Sequence, residues 1–368
     1  MKTVRDLTDL KGKKVLLRVD FDVPVDDKGE IQESFRIKKQ KETLDHLINQ
    51  GAHVVIVSHI SDESVGKSFA SLIPQLHVLL GHEINFIKTV SEVGSYLERY
   101  LPAGRQAQPA LLDNLRQNEG EEKNDPEFAK QLGEEFDYYV NNAFAVCHRE
   151  NASVSVIAKI LPAYAGFVIE EEVNRLSDAI NVSKEGKIII IGGAKASTKV
   201  PVIRHFLDKS EYILTGGVVA NDILKEKGQD MGSSVVDENS KELLVGLDLQ
   251  DPRLFTPTDF IVFDNKILDI GDGTMHSYMD IISQAKMIVW NGPMGLFENQ
   301  AFAKGTDEIA KAIAASSAVK IMGGGDTIAA VNRLGLLDQF DFVSTGGGAM
   351  LAFLSGKKLP GLVALEYE

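Results

Sequence analysis

Short, unbroken runs of apolar and β-branched residues recur along the 368-residue chain, and nearly every one stops at glycine or at a polar residue. They are KVLLRV (14–19), HVVIVSH (53–59), YYVNNAF (138–144), KIIIIGG (187–193), YILTGG (212–217), MIVWNG (287–292), KIMGGG (320–325) and FVSTGGG (342–348). A strand with one wet face alternates apolar and polar residues, whereas a strand that stays apolar needs cover on both faces. Helix-period stripes supply that cover. Leu44, Leu47 and Ile48 precede Gly51; Val200, Ile203, Phe206 and Leu207 form a second stripe; Ile328, Val331 and Leu334 precede Gly335. The alternation predicts an α/β protein built on doubly wound parallel sheets. The length is too great for one ordinary core and favours two domains. Pro162 and Gly166 interrupt the chain, and Val173, Leu176 and Ile180 then make a helical stripe suited to bridging two domains.

Composition narrows the partners. A net charge of −14, from 53 acidic and 39 basic residues, argues against nucleic acid or an anionic membrane surface. No apolar run approaches the roughly 20 residues of a membrane helix. The start, MKTVRDLTDLKGKK, lacks the apolar core of a secretory signal. The single cysteine, Cys147, excludes an intrachain disulfide. A cytoplasmic protein without nucleic-acid or membrane partners is expected. The stretch PAGRQAQP (102–109) reads as a surface loop.

The chemistry is concentrated at the strand ends, where open α/β sheets hold their ligands. After residue 190 these ends are glycine-rich: IGGAKASTK, LTGGVV, IMGGGDT and STGGGAM. One such turn is explained by tight strand-to-helix geometry alone. Four together point to backbone amides offered to an anion at helix starts, with Asp326 or Thr327 as cap. Neither GGGDTI nor GGAKAS fits the dinucleotide fingerprint, and no complete Walker G-x-x-x-x-G-K-S/T loop occurs. Lys195 and Lys199, four apart, share a helical face and suit a transferring phosphate. Asp326 suits Mg²⁺, which takes one or two carboxylates plus phosphate oxygens. Together these residues point to a nucleoside triphosphate with magnesium. The first half carries Arg18, Arg36, His59, Arg116, His148 and Arg149, cations suited to bidentate recognition of phosphate or carboxylate. Cys147 beside His148 reads as a small core residue rather than half of a protease pair.

Over nearly its full length the chain resembles the phosphoglycerate kinase family. RVDFDVP, VSHIS, LLDNLR and NNAFAVCHRENAS are similar to its first-domain motifs, and IIGGAKASTK, ILTGGVVAN, DIGDGT, VWNGPMGLFE, FAKGT, GGGDT and STGGGA follow in the family's order. The resemblance implies two Rossmann-like domains joined by a hinge helix, with closure on two ligands. Residues 1–164 would bind 3-phosphoglycerate, 165–184 form the hinge, 185–350 bind MgATP or MgADP, and 351–368 return to the first domain. It assigns Asp20, Phe21, Asp22, Arg36, His59, Asp62, Arg116 and Arg149 to the glycerate substrate. It assigns Gly193, Lys195, Lys199, Gly216, Gly217, Asn291, Pro293, Glu298, Gly324, Gly325, Asp326 and Thr327 to the nucleotide. Glu298 would take the ribose and Asp326 the metal; Arg36, Lys199, Gly325 and Gly348 would surround the phosphoryl group in flight. The implied protein is a cytoplasmic monomer acting on small molecules.

Several positions depart from the pattern. Asp22 stands for asparagine, Asp62 for the arginine of SHLGRP, Asn142 for aspartate, and FAVCHR for FGTAHR; Val218 and Ile267 stand for glycines beside the adenine. Asp62 is expected to weaken glycerate binding, with Lys67 as a substitute cation. The departures keep open a second reading, a divergent homologue with weak or altered activity that binds nucleotide or anion.

Overall fold

All eight apolar runs fold as strands, and among the described residues six further strands join them. The computed structural model describes residues 1–100 and 108–367; the stretch 102–109 lies outside them except at its last two positions. Contacts divide the chain into one unit of Met1–Val173 with Lys358–Glu368, and another of Asn174–Lys357.

The first unit is built on β1 (Lys14–Arg18), β2 (His53–Val57), β3 (Asn85–Ile87), β4 (Ala110–Leu112), β5 (Tyr138–Asn141) and β6 (Ala163–Ala165), in the order β3-β4-β2-β1-β5-β6. Every pairing is parallel. The period of two decides its packing: Val15, Leu17, Val54 and Ile56 enter one core, while Leu16, Val55 and Val57 enter the other. Both faces are therefore covered, as uninterrupted apolar strands require. The helix Phe35–Asn49 buries Ile37, Thr43, Leu44, Leu47 and Ile48, and Gly51 stops the chain's helical path with a φ of 84°. Lys358–Glu368 completes this unit. The Gly361 amide donates to the Cys147 carbonyl at 2.9 Å, and a Cβ at Gly361 would stand 2.8 Å from Val154 Cγ1.

The second unit contains β7 (Lys187–Ile191), β8 (Tyr212–Thr215), β9 (Leu254–Phe255), β10 (Phe260–Phe263), β11 (Lys266–Ile270), β12 (Met287–Asn291), β13 (Val319–Gly323) and β14 (Phe342–Val343). Its parallel sheet runs β14-β13-β12-β7-β8-β9, and β10 and β11 form a separate antiparallel pair. Both β7 and β12 are buried along their whole length. The two units are thus parallel-sheet α/β domains. The helix Phe167–Asn181 contains the point of division.

Glycine in the second unit has a packing function that composition does not reveal. The loop after β12 lies against the loop after β7: a Cβ at Gly292, whose φ is 94°, would collide with the Gly192 carbonyl. A Cβ at Gly217 would approach the Gly193 amide to 2.6 Å, and one at Gly347 would reach Gly324 Cα at 2.7 Å. Backbone rests on backbone, and only glycine permits it. Gly325 differs, because a Cβ there meets nothing within 4 Å and its φ is ordinary. Gly292→Ala is therefore expected to cost at least about 2 kcal/mol and to lower the thermal midpoint by several degrees. Gly325→Ala is expected to melt with the parent. Scanning calorimetry on both variants checks this.

Candidate active site

In the first sheet the neighbours β4, β2, β1 and β5 end side by side, and the chemistry follows their carboxyl ends. Arg18 closes β1 and the loop after it carries Asp20, Phe21 and Asp22; His59 follows β2, Arg116 follows β4, and Arg149 follows β5. Arg36 enters from the helix Phe35–Asn49. Its Nη1 donates to the Asp22 carbonyl at 2.9 Å and lies 3.7 Å from Asp20 Oδ2, a buried oxygen with no hydrogen-bond partner. Asp22 accepts from the Ser61 amide at 2.7 Å and faces His59 Nε2 at 3.3 Å. Burial pushes the Asp22 carboxyl up, but hydrogen bonds from His59 and Ser61 and the charge of Arg116 outweigh it and hold it well below the usual carboxylate range. Burial lowers the Arg116 pKa, and the nearby charge of Arg149 adds to that effect. Arg116 is paired with the largely exposed Glu122 at 3.2 Å, and no carboxylate is within ion-pair distance of Arg149 among the described residues, an environment that still suits an anion. Phe21 is core, with its ring edge-on to Phe69 at 6.2 Å.

In the second sheet β14, β13, β12, β7 and β8 end side by side. Three helices start at once after such strands, at Gly217, Gly325 and Gly347, and none has a side-chain cap. Asp326 and Thr327 were expected to supply one, but both lie inside the first turn. Thr327 Oγ1 instead accepts the Gly292 amide at 2.7 Å, because the adjacent loop needs that acceptor more closely than the helix does. The amides of Gly193, Gly216 and Gly217 donate to protein carbonyls at 2.7, 3.0 and 2.8 Å, so they are engaged within the protein. Asn291 clamps the Gly323 carbonyl at 2.9 Å. What faces outward is the exposed start of the Gly325 helix with Asp326, the exposed Gly348 in the first turn of the Gly347 helix, and Lys195 from the β7 loop, with Lys199 buried behind it in the helix Ala196–Phe206. Lys195 is exposed at a φ of 64°. Lys199 is 9% exposed and donates to the Ala194 carbonyl at 2.6 Å. Burial lowers its pKa, and Asp326 pulls in the opposite direction.

Beside these turns opens an apolar cleft walled by Val218, Val235, Pro257, Phe260, Ile267, Leu268, Met294 and Leu296, with Gly193, Pro293, Glu298 and Asp326 at its edge. Apolar walls and a few polar groups on one side suit a planar base that carries a charged tail. Helix Gly217–Glu226 holds one wall in place. Asn221 Nδ2 donates to the Val235 carbonyl at 3.0 Å, Asp222 Oδ1 accepts the Asp237 amide at 2.7 Å, and Asp237 Oδ2 accepts the Ala196 amide at 3.0 Å. Asp237 thereby caps the helix that presents Lys199. A metal fits Asp326 in one manner only. It is a single exposed carboxylate in the first turn of an uncapped helix start, and no group of three or more His, Cys, Asp or Glu among the described residues clusters as a protein-only cage. That donor set suits Mg²⁺ arriving on phosphate oxygens.

A family model described as phosphoglycerate kinase matches residues 4–357. The chain belongs to the phosphoglycerate kinase family. A phosphoglycerate kinase of Moorella thermoacetica is 38% identical, covering 99% of this chain and 98% of that one. That of Thermosipho africanus is 39% identical, covering 99% and 97%. Among solved structures, phosphoglycerate kinase from Pyrococcus horikoshii superposes with a TM-score of 0.86 at 32% identity, covering 100% of this chain and 98% of that chain. The enzyme from Coxiella burnetii gives 0.82 at 33% identity, covering 98% and 97%.

Two of the positions that depart from the family pattern, Asp62 and Asn142, are engaged by hydrogen bonds within the fold. Asp62 accepts from the Val25 amide at 2.9 Å and from the Ser64 amide and hydroxyl at 2.8 and 2.5 Å, so it pins the loop after β1. Lys67 pairs with Glu63 at 3.1 Å. Asn142 accepts from Thr43 Oγ1 and the Val168 amide, both at 3.0 Å, and donates to Gln40 at 2.8 Å. Sequence reasoning missed Ser61, Asn221 and Asp237, which carry no chemical signal of their own. Arg18 was signalled by a charge inside an apolar run, but its placement behind His59 was not.

Asp222 also generates a test. It is 1% exposed, its Oδ2 has no partner, and burial beside Asp237 pushes its carboxyl up to about 6 from an ordinary 3.8. The folded state then binds this proton more tightly than the unfolded chain, so Asp222 costs stability above about pH 6, and the cost disappears as pH falls toward 3.8. Asp222→Asn should raise the thermal midpoint of the unfolding transition at pH 7.5 by a few degrees, and the gain over the parent should vanish near pH 4.5. Melting curves across that range check it.

Proposed function

We propose that this protein is a phosphoglycerate kinase, transferring a phosphoryl group reversibly between 1,3-bisphosphoglycerate with ADP and 3-phosphoglycerate with ATP in glycolysis. The observation that carries the reading is the presence of two chemically different anion sites on one chain. One is a guanidinium cluster at the strand ends of the first unit. The other is an apolar slot leading to uncapped helix starts and a buried lysine.

Arg36, Arg116 and Arg149 take the carboxylate and phosphate of the glycerate, and the free Oδ2 of Asp20 accepts its hydroxyl. His59 and Asp22 complete the wall of that site; Phe21 and Asp62 shape its loop. Val218, Ile267 and their neighbours hold the base, and Glu298 takes the ribose hydroxyls. Gly193, Gly216, Gly217, Asn291, Pro293 and Gly324 fix the loops that position Lys195, Gly325, Asp326 and Thr327 against the phosphates. Mg²⁺, held by Asp326, supplies charge neutralisation on the nucleotide. Phosphoryl transfer needs positioning and neutralisation more than covalent help, and an acyl phosphate is already activated, so no general base is required. Arg36, Lys199 and the amides of Gly325 and Gly348 stabilise the equatorial oxygens in flight. Closure of the two units on their ligands excludes water. A monomeric state and a cytoplasmic location complete the reading.

Purified protein with Mg²⁺, ATP and 3-phosphoglycerate should form ADP in a coupled assay, and EDTA should stop it. No turnover in either direction by folded protein overturns the reading. Lys199→Ala should lower kcat on the order of 10²–10³-fold with little change in ATP affinity. Asp326→Ala should raise the Mg²⁺ concentration at half-maximal rate. Gly325→Ala, which leaves the fold intact, should still lower kcat, because its methyl group stands where the phosphate approaches.

A further inference from the structure

The His59 ring is 2% exposed, and both of its nitrogens face partners whose chemistry leaves no choice. Arg18 Nη2 lies 3.1 Å from Nδ1. A guanidinium has donors only, so Nδ1 must accept. Asp22 Oδ2 lies 3.3 Å from Nε2. An ionised carboxylate has acceptors only, so Nε2 must carry the proton. Arg18 cannot retreat, being 1% exposed and tied at every nitrogen: Nε donates to Ser153 Oγ at 3.0 Å, and Nη1 donates to the Val19 carbonyl and to Ser58 Oγ at 3.5 Å. Ser153 passes the connection on, donating its hydroxyl to Glu121 Oε1 at 2.6 Å and its amide to Oε2 at 3.0 Å. Glu121 is itself 2% exposed. Donation thus runs outward from the Arg18 guanidinium in both directions, through the Ser153 hydroxyl to the buried Glu121 carboxylate and through the His59 imidazole to the Asp22 carboxylate. Asp22 also accepts from the Ser61 hydroxyl, to which Arg116 donates.

We propose that Arg18 is a positioning residue for the anion site of the first unit: by occupying Nδ1 of His59 it fixes the imidazole as the neutral Nε2–H tautomer, so the positive charge of that site comes from arginines and does not vary with pH. Protonating the ring would aim a new N–H at a cation that cannot move. The charged groups around His59 are Arg18, Asp20 and Asp22, with Arg116 reaching Asp22 through Ser61. Burial depresses the basicity of the ring and Arg18 adds to that, while Asp22 and Asp20 oppose both. Without the guanidinium, its charge and part of the burial go together, and the two carboxylates draw the ring toward imidazolium.

The tautomer claim stands without the kinase reading; only its consequence for substrate affinity rests on it. Long-range ¹H–¹⁵N spectra of ¹⁵N-histidine-labelled protein, assigned with His59→Gln, read the tautomer directly. The parent should show the neutral Nε2–H pattern for His59, unchanged between about pH 5 and 8. An Nδ1–H pattern, or a protonation midpoint inside that range, overturns the proposal, and this arm needs no variant to fold. Arg18→Met should bring the His59 midpoint into the range. A folded Arg18→Met protein whose His59 stays neutral throughout shows that burial alone suffices and overturns the role of Arg18. If the protein turns over, the ratio of variant to parent KM for 3-phosphoglycerate should fall at least about threefold from pH 8 to pH 6, as the protonated ring adds a cation, while the kcat ratio stays flat. An equal change in kcat would place Arg18 in the chemistry itself and overturn a positioning role. Absence of turnover with the expected spectra would count against the kinase reading and not against the tautomer.

Discussion

Hydrogen bonding between parallel strands decides which residues of this chain can meet. Each strand runs the same way as its neighbours, so every carboxyl end arrives at one edge of its sheet. In the first unit that edge gathers residues from four separate stretches, Arg18 to Asp22, His59, Arg116 and Arg149. In the second it gathers the loops after β7, β8, β12, β13 and β14. Neither gathering needs the side chains to seek each other. The sheet, made stable by burying β7 and β12 completely and β1 and β2 on alternate faces, delivers them.

The parts of this plan that were legible in advance are those with a long, strong physical signal. Four consecutive buried isoleucines, as in β7, admit few alternatives to a covered parallel strand. By contrast β3, β4, β6, β9 and β14 have only two or three residues each. Of these, only β14 was announced, by the glycines after it. The glycines themselves were half understood. Their concentration at strand ends marked the site, but Gly192, Gly217, Gly292 and Gly347 are there because one loop lies directly on another. Gly325 alone among those with a defined Cβ environment at these turns looks into open space. Asp62 and Asn142 show the other limit. A substitution judged by charge alone suggests a defect, whereas its partners Val25, Thr43 and Gln40 are distant in sequence and visible only in the fold.

The net charge of −14 also takes on a different meaning once the charges are placed. Several acidic groups near these strand ends are occupied. Asp22 is held by Ser61 and His59, Asp62 by backbone amides, and Asp237 by the start of a helix. Carboxylates that accept such hydrogen bonds act as struts, and their charge is largely balanced locally. A high acidic count therefore does not by itself set a repulsive field at these strand ends, because carboxylates there are engaged by amides, a hydroxyl and an imidazole.

The closing segment Lys358–Glu368 belongs to the unit that the chain begins, with Gly361 set against Cys147 and Val154. On the ribosome this inverts the customary order, in which N-terminal domains finish first. The unit Asn174–Lys357 is continuous in sequence and has all its residues once Lys357 has emerged. The unit that starts at Met1 must wait, with the seat of Gly361 beside Cys147 uncovered, until the residues after Lys357 have emerged as well. A nascent chain stalled just after Lys357 would thus carry a finished second unit and an unfinished first one, with its apolar surface around Val154 open to chaperones.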